Sequence, residues 1–251
     1  MNPAVNPSKA GHSAGAIAYR LARVRERIAI AAERARRDPA SVRLVAASKT
    51  QGPEAVRAAY LAGARDFGEN YVQEAVAKRQ ALADLADIRW HLIGHLQTNK
   101  AAAAARCFDL IQTLDSQRLA AALARARPSP PMPVLIEVNL GGESSKSGVA
   151  PERVESLIGA VRHQTEVRGL MAIPPAPGAT APGATAPGED SRTARRYFAE
   201  LRELRDRLAA ATGLALSELS MGMTGDFEIA IAEGATIVRV GRAIFGERGA
   251  R

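Results

Sequence analysis

Cations in this chain are mostly arginine, and lysine is used sparingly. The lysine whose setting suggests chemistry is Lys49, which closes the apolar run VRLVAASKT (42–50). A strand over 42–48 buries the residues before Lys49 and leaves its amine at the C-terminal mouth of that strand, where α/β barrels build their sites. Partial desolvation there lowers an amine's pKa and makes it nucleophilic toward aldehydes, which is Schiff-base chemistry. By itself, the same position would suit a surface lysine capping a strand.

A second constellation, at the far end of the chain, changes that balance. The stretch ELSMGMTGDFEIAIAEGATIVRVGRAIFGER reads as a strand, a Gly- and Ser-rich turn, a short helix, a further strand and a second Gly turn. Ser220, Gly222 and Gly241 fall near the ends of the seventh and eighth strands, where barrels bind phosphate. Backbone N–H groups at a tight turn or helix N-terminus form an anion site, and glycine permits close approach. An aldehyde-reactive lysine and a distal phosphate pocket in one barrel point to pyridoxal 5′-phosphate, or alternatively to a phosphosugar aldolase that uses lysine.

Both groups must be positioned by a repeating framework. Short runs rich in Val, Ile and Leu at 42–48, 65–69, 88–94, 109–114, 134–140, 167–173, 215–221 and 236–241 alternate with helical segments near 53–62, 71–84, 97–106, 116–126, 151–163, 192–211 and 226–233. This pattern yields parallel strands with crossover helices. Eight such units fit a closed (β/α)8 TIM barrel, which leaves no exposed strand edge, and 251 residues match the roughly 250 such a barrel needs. The expected organisation is a disordered arm over 1–14, an extra amphipathic helix over 15–37, and one α/β barrel domain over 15–251. The tandem PGATA segment at 174–190 reads as a flexible Pro/Gly/Ala-rich insertion after the sixth strand.

Composition excludes several classes of function. The net charge of +8 comes from arginines interleaved with glutamates at i,i+3 and i,i+4 on helices, so it describes solvated faces rather than a nucleic-acid surface. A lone cysteine, Cys107, permits no internal disulfide. No apolar stretch approaches a membrane span, and the first residues lack a signal core, so a cytoplasmic location is expected. His91 and His95 in WHLIGHLQTNK have i,i+4 spacing, but a strand and turn separate them and no third ligand follows, so metal binding is not expected. His91 instead lines the site or is held by hydrogen bonds. Lys146 in GGESSKSGV and Lys100 in LQTNK are loop lysines near strand mouths, equally suited to greeting an anion or to solvation.

The stretches LVAASKT, FGENYVQEAVAK, WHLIGHLQTNK, IEVNLGGESSKSGV, RGLMAI and LSMGMTGDFEIAIAEGATIVRVGRAIFG run in order from residue 42 to 246. In them the sequence resembles the pyridoxal phosphate homeostasis protein family, which is alanine-racemase-N-terminal-domain-like and of fold type III. The resemblance implies that Lys49 forms the aldimine and that Asn70 lies near the cofactor ring and its hydroxyl. It also implies that Ser220, Met221 and the turn with Gly241 and Arg242 hold the phosphate, while Arg239 faces the pyridine nitrogen. Where this chain has Arg242 the family often has a threonine whose hydroxyl helps bind phosphate. Arg239, always protonated, would keep the pyridine nitrogen acceptor-only and make the ring a poorer electron sink, which disfavours transamination.

The expected function is therefore a protein that binds pyridoxal 5′-phosphate and buffers or carries it, with no dedicated substrate turnover. Apoenzymes that depend on the cofactor would be its recipients, and a monomer is expected rather than an obligate dimer. The alternative is a racemase-like amino-acid enzyme; racemases of this fold carry a further C-terminal β-domain and a tyrosine base from a partner, for which the chain leaves no room after the eighth strand. A cofactor-free lysine aldolase would need acid/base partners beside Lys49, and Glu69, Tyr71 and Glu74 are the residues available.

Overall fold

The computed structural model of the protein describes residues 13–142, 147–174 and 189–247. Eight parallel strands close into a barrel in the order β1 to β8: β1 Arg43–Ala47, β2 Asp66–Glu69, β3 Arg89–Leu92, β4 Leu110–Leu114, β5 Met132–Glu137, β6 Thr165–Met171, β7 Glu218–Ser220 and β8 Ile237–Val240. The ring is closed by β8 on β1, with Val45 opposite Arg239 and Ala46 opposite Val240. All eight expected strands are present. The short RDFGE run forms β2, buried at each of its positions, and DLIQTL forms β4 rather than extending a helix.

Helix α1 (Ala14–Arg34) precedes the barrel. Its successors follow the strands in turn: α2 Pro53–Leu61, α3 Val72–Ala81, α4 Ala101–Cys107, α5 Gln117–Ala126, α6 Val154–Val161, α7 Glu189–Thr212, α8 Phe227–Ala232 and the four-residue α9 Arg242–Phe245. The expected arm is two residues shorter where it meets α1: Ser13 is already the N-cap, its hydroxyl accepting from the Ala16 N–H. The arm up to residue 12, like 175–188 of the expected insertion, lies outside the described residues. Helix α1 also stops three residues earlier than expected. Arg36 takes a left-handed φ of 56°, and the Arg37 N–H returns to Ala32 O, a Schellman ending before Asp38 and Pro39 start a new turn.

Alternation along the strands sorts the core into two bodies. Outward residues such as Phe67, Trp90, Ile111, Leu219 and Val238 join the helices in one large apolar layer, which includes Ile17, Leu21, Val24 and Ile28 of α1. Inside the ring, Val45, Leu110, Leu135, Met171 and Ile237, from five different strands, form a small separate cluster. The N-terminal end of the ring is closed by ion pairs of Arg43 with Glu218 and Arg89 with Asp66.

Candidate functional site

Lys49 stands where the sequence places it, half-buried one residue beyond the ladder of β1. Ser48 continues the ladder through its N–H to Gly68 O, and the turn closes with the Gln51 N–H on Ser48 O, both at 2.9 Å. Thr50 pays for this turn with φ of 67°, a left-handed conformation that costs a β-branched residue on the order of 1 kcal/mol. The turn is fastened from α3: Glu74 Oε1 accepts from the Thr50 N–H at 2.7 Å, and Lys78 Nζ donates to Ser48 O at 2.7 Å. Asn70 follows β2 directly, half-buried, and the backbone of Gly94 presses on it so closely that a Cβ there would lie 2.5 Å from Asn70 O.

Beneath the mouth a hydrogen-bonded chain crosses the lumen from β8 to β2. Arg239 donates from Nη1 to Ser220 Oγ (2.5 Å) and from Nη2 to Ala172 O (3.0 Å). A guanidinium has only donors, so the Ser220 hydroxyl accepts from it and donates its own O–H to Gln112 Oε1 at 2.6 Å. That fixes the Gln112 amide, whose Nε2 donates to His91 Nδ1 at 3.0 Å, and leaves His91 protonated on Nε2 toward Asp66 Oδ1 at 2.9 Å. Every member of this chain is buried. Burial lowers the Arg239 pKa to about 10, against the opposing pull of Asp226 and Glu137, so the group stays charged at neutral pH.

Asp66 anchors the other end. Its burial favours the neutral acid, but the hydrogen bonds from His91 and Arg89, with the Arg89 charge beside it, outweigh this and hold its pKa down at about 2. A folded-state pKa below the ordinary 3.8 stabilises the protein above pH 4, and that contribution is lost as pH falls through 2. About 2 kcal/mol is expected from this one group. Urea midpoints of the wild type and Asp66→Asn should therefore differ clearly at pH 6 and converge near pH 2. A gap that persists at pH 2 would sink the assignment.

The turn after β7 needs glycine at 222. Its φ is 90°, and a Cβ would lie 2.6 Å from the Ala230 Cβ and 2.9 Å from the Phe227 Cα. Asp226 Oδ1 locks the next residue by accepting from the Met223 N–H at 2.6 Å. Gly241, after β8, abuts the Ala47 carbonyl of β1, so the second glycine turn sits beside the Lys49 strand. Helix α9 begins there: the Ile244 and Phe245 N–H groups both return to Gly241 O at 2.9 Å, and the Arg242 and Ala243 N–H groups precede the first intrahelical bond.

The expected site residues do not all offer their side chains to one point. Lys49, Asn70 and Gly241 lie around the mouth at the ends of the neighbouring strands β1, β2 and β8. Ser220 has its hydroxyl committed to Arg239 and Gln112, and His91 lies within the lumen between Gln112 and Asp66. Met221 packs into the outer core and gives its N–H to Ile237 O. The Arg242 side chain, 64% exposed, turns outward to within 3.9 Å of Glu247. Of the aldolase partners, Tyr71 is 61% exposed, and both glutamates are engaged by Lys78.

Sequence reasoning missed Gln112, Asp66, Lys78 and Glu137. Lys78 carried a usable signal, since it is one of only five lysines and follows Glu74 at i+4. Glu137 closes β5 with Oε2 buried and unbonded; burial, reinforced by Asp115 and opposed by Arg239, pushes its pKa up to about 7. His95 leans toward Asp115 at 3.4 Å, and no group of three metal-ligating side chains occurs among the described residues. Lys146 lies outside them. A cleft of about 1030 Å³ lies near the mouths of β3 to β5, lined by His95, Asp115, Ser116 and Arg118, and includes neither Lys49 nor Arg239.

Comparison with known proteins gives consistent results. The alanine racemase, N-terminal domain family matches residues 19–249. The pyridoxal phosphate homeostasis protein of Pseudomonas aeruginosa is 46% identical over 236 residues, covering 92% of this chain and 96% of that protein. That of Aquifex aeolicus is 46% identical over 233 residues, covering 91% and 97%. PipY of Synechococcus elongatus, solved with PLP bound, superposes with a TM-score of 0.77 at 39% identity, covering 92% of this chain and all of that one.

Proposed function

The chain belongs to the pyridoxal phosphate homeostasis protein family, built on the alanine racemase N-terminal domain, and we propose that it binds pyridoxal 5′-phosphate through Lys49 and buffers or carries it without turning over a substrate of its own. The observation that carries this reading is the meeting of three requirements at one mouth. An amine follows β1, glycine turns follow β7 and β8, and a buried guanidinium lies on β8 directly opposite Val45 of β1. A phosphorylated aldehyde with an aromatic nitrogen needs those three partners.

When bound, the cofactor supplies an electrophilic aldehyde carbon and a ring able to accept electrons. Lys49 Nζ is the attachment point, and Asn70 stands beside it. The backbone of the Gly222 turn and the 241–242 turn would cradle the phosphate, with Arg242 contributing through main chain and Ser220 and Met221 through shape, since the Ser220 hydroxyl and the Met221 N–H are engaged and the Arg242 side chain turns outward. Arg239 faces the ring nitrogen as a donor-only cation and keeps a proton off it. Gln112 and His91 hold that guanidinium in place through Ser220. A ring held this way is a weak electron sink, which favours holding the cofactor over transforming amino acids.

The reading includes a cytoplasmic, monomeric protein with cofactor-dependent apoenzymes as recipients. No described helix is long and apolar enough to cross a membrane. The test is an absorbance titration of the purified protein with pyridoxal 5′-phosphate. A band near the visible edge that borohydride bleaches is expected, and a protein that stays colourless refutes the proposal. Incubating the loaded protein with single amino-acid enantiomers in deuterated water then separates a carrier from a racemase-like enzyme. Slow or absent α-deuteration is expected, and rapid exchange would make it an enzyme.

A further inference from the structure

Lys78 of α3 is a buried cation, its side chain 4% exposed, that the reading above does not use. Its Nζ donates to Ser48 O at 2.7 Å, Glu69 Oε1 at 2.7 Å and Glu74 Oε1 at 2.8 Å. Three acceptors match the three N–H groups of an ammonium. The same carboxylate oxygens reach the Lys49 turn on their own account: Glu69 Oε1 accepts from Ser48 Oγ at 2.5 Å, and Glu74 Oε1 accepts from the Thr50 N–H at 2.7 Å. Both chain neighbours of Lys49 are thus tied to one ion triad.

Such a triad is an expensive way to hold a helix on a sheet. Glu69 is fully buried, its Oε2 has no hydrogen-bond partner, and burial raises its pKa in spite of Lys78. Apolar side chains of similar volume would dock α3 on β2 at least as well. What they could not do is grip a carbonyl at 48, a hydroxyl at 48 and an N–H at 50, or hold Thr50 in its left-handed conformation.

We propose that Lys78 is a positioning residue for Lys49, with Glu69 and Glu74 as its two arms, setting the direction from which the Lys49 amine enters the mouth. The inference rests on the reading of Lys49 as the attachment residue. Attachment joins Nζ to the aldehyde carbon with loss of one water, so it requires the amine to meet that carbon along a narrow approach. Displacement by about 1 Å can slow such a step by up to roughly a hundredfold.

The test compares the wild type with Glu74→Gln, at a side chain 26% exposed, and with the double variant Lys78→Met/Glu69→Gln, which leaves no lone buried charge. Apoprotein is mixed with pyridoxal 5′-phosphate in a stopped-flow instrument, and the adduct is trapped with borohydride and mapped. Binding of pyridoxine 5′-phosphate, which has no aldehyde, is measured in parallel. Attachment at Lys49 is expected to slow about 10- to 100-fold in the double variant and less in Glu74→Gln, with the pH midpoint of the visible band displaced, while pyridoxine 5′-phosphate affinity stays within about twofold. Unchanged rates and band would overturn the proposal, as would an equal loss of pyridoxine 5′-phosphate affinity, which marks a merely structural role. Should the double variant not fold, Glu74→Gln decides alone. Trapping of the wild type at a residue other than Lys49 defeats the attachment reading itself, and this proposal falls with it.

Discussion

Replacing Lys49 with alanine is expected to remove the near-visible band and all borohydride-stable labelling, while the far-ultraviolet circular dichroism of the barrel is unchanged. Two features make the effect specific. The turn that presents residue 49 is held at Ser48 and Thr50 by Lys78 and Glu74, and none of those bonds uses the Lys49 side chain. The glycine turn after β7 is likewise untouched, because it owes its shape to Gly222, Asp226 and the packing of Phe227, and the turn after β8 packs at Gly241 on the Ala47 carbonyl. Alanine therefore removes the nucleophile from a site that is otherwise intact. The cofactor should still enter by its phosphate but dialyse away from the variant and not from the wild type. Intact-mass analysis after borohydride decides the matter. A label that survives in Lys49→Ala would move the attachment to another amine, and peptide mapping would tell Lys78 from Lys100.

The parts of this site that could be read from sequence share a property: they depend on position along one element. Lys49 follows an apolar strand, and Gly222 and Gly241 follow two more, so a strand assignment alone carries them to the mouth. The eight strands were legible for the same reason, since each is a short apolar run between turn or helix signals. What stayed hidden depends on how elements meet. Gln112 sits in LIQTL as a polar interruption of a strand, and only the closure of the ring brings it between Ser220 and His91, more than a hundred residues from the former. Asp66 looked like a strand end, and its role requires that β3 place both Arg89 and His91 against it. Lys78 reads as a solvated helix cation until the rotation of α3 about its axis is known. Arg242 shows the converse: a motif position can be found in sequence while the direction of its side chain cannot.

Glu137→Gln is expected to make the protein more stable, by about 3 kcal/mol at pH 8.5 and by nothing measurable at pH 4.5. The carboxyl closes β5 at 8% exposure, with Oε2 unbonded, and its pKa is pushed up to about 7 by burial and by Asp115, with Arg239 pulling the other way. A carboxyl whose folded-state pKa exceeds its ordinary 4.5 binds more protons folded than unfolded. The wild type should therefore lose stability as pH rises from 4.5 through 7, the opposite direction from Asp66, and glutamine cannot incur that loss. Urea unfolding of the two proteins across pH 4.5 to 8.5 measures it. Parallel curves would mean that Glu137 is ionised without penalty, its charge met by Arg239. An acid kept at such a cost on the rim of an apolar barrel is the mark of a site rather than of a core, because packing alone would have favoured an amide or an aliphatic residue there. Its place is informative too. One acid, Asp115, and the guanidinium of Arg239 act on it, so the rim at β5 shares the electrostatics of the group proposed to face the ring nitrogen. An anionic phosphate brought to that mouth would drive Glu137 further toward its neutral form, and the stability gap between wild type and Glu137→Gln at pH 8.5 should then widen when pyridoxal 5′-phosphate is present.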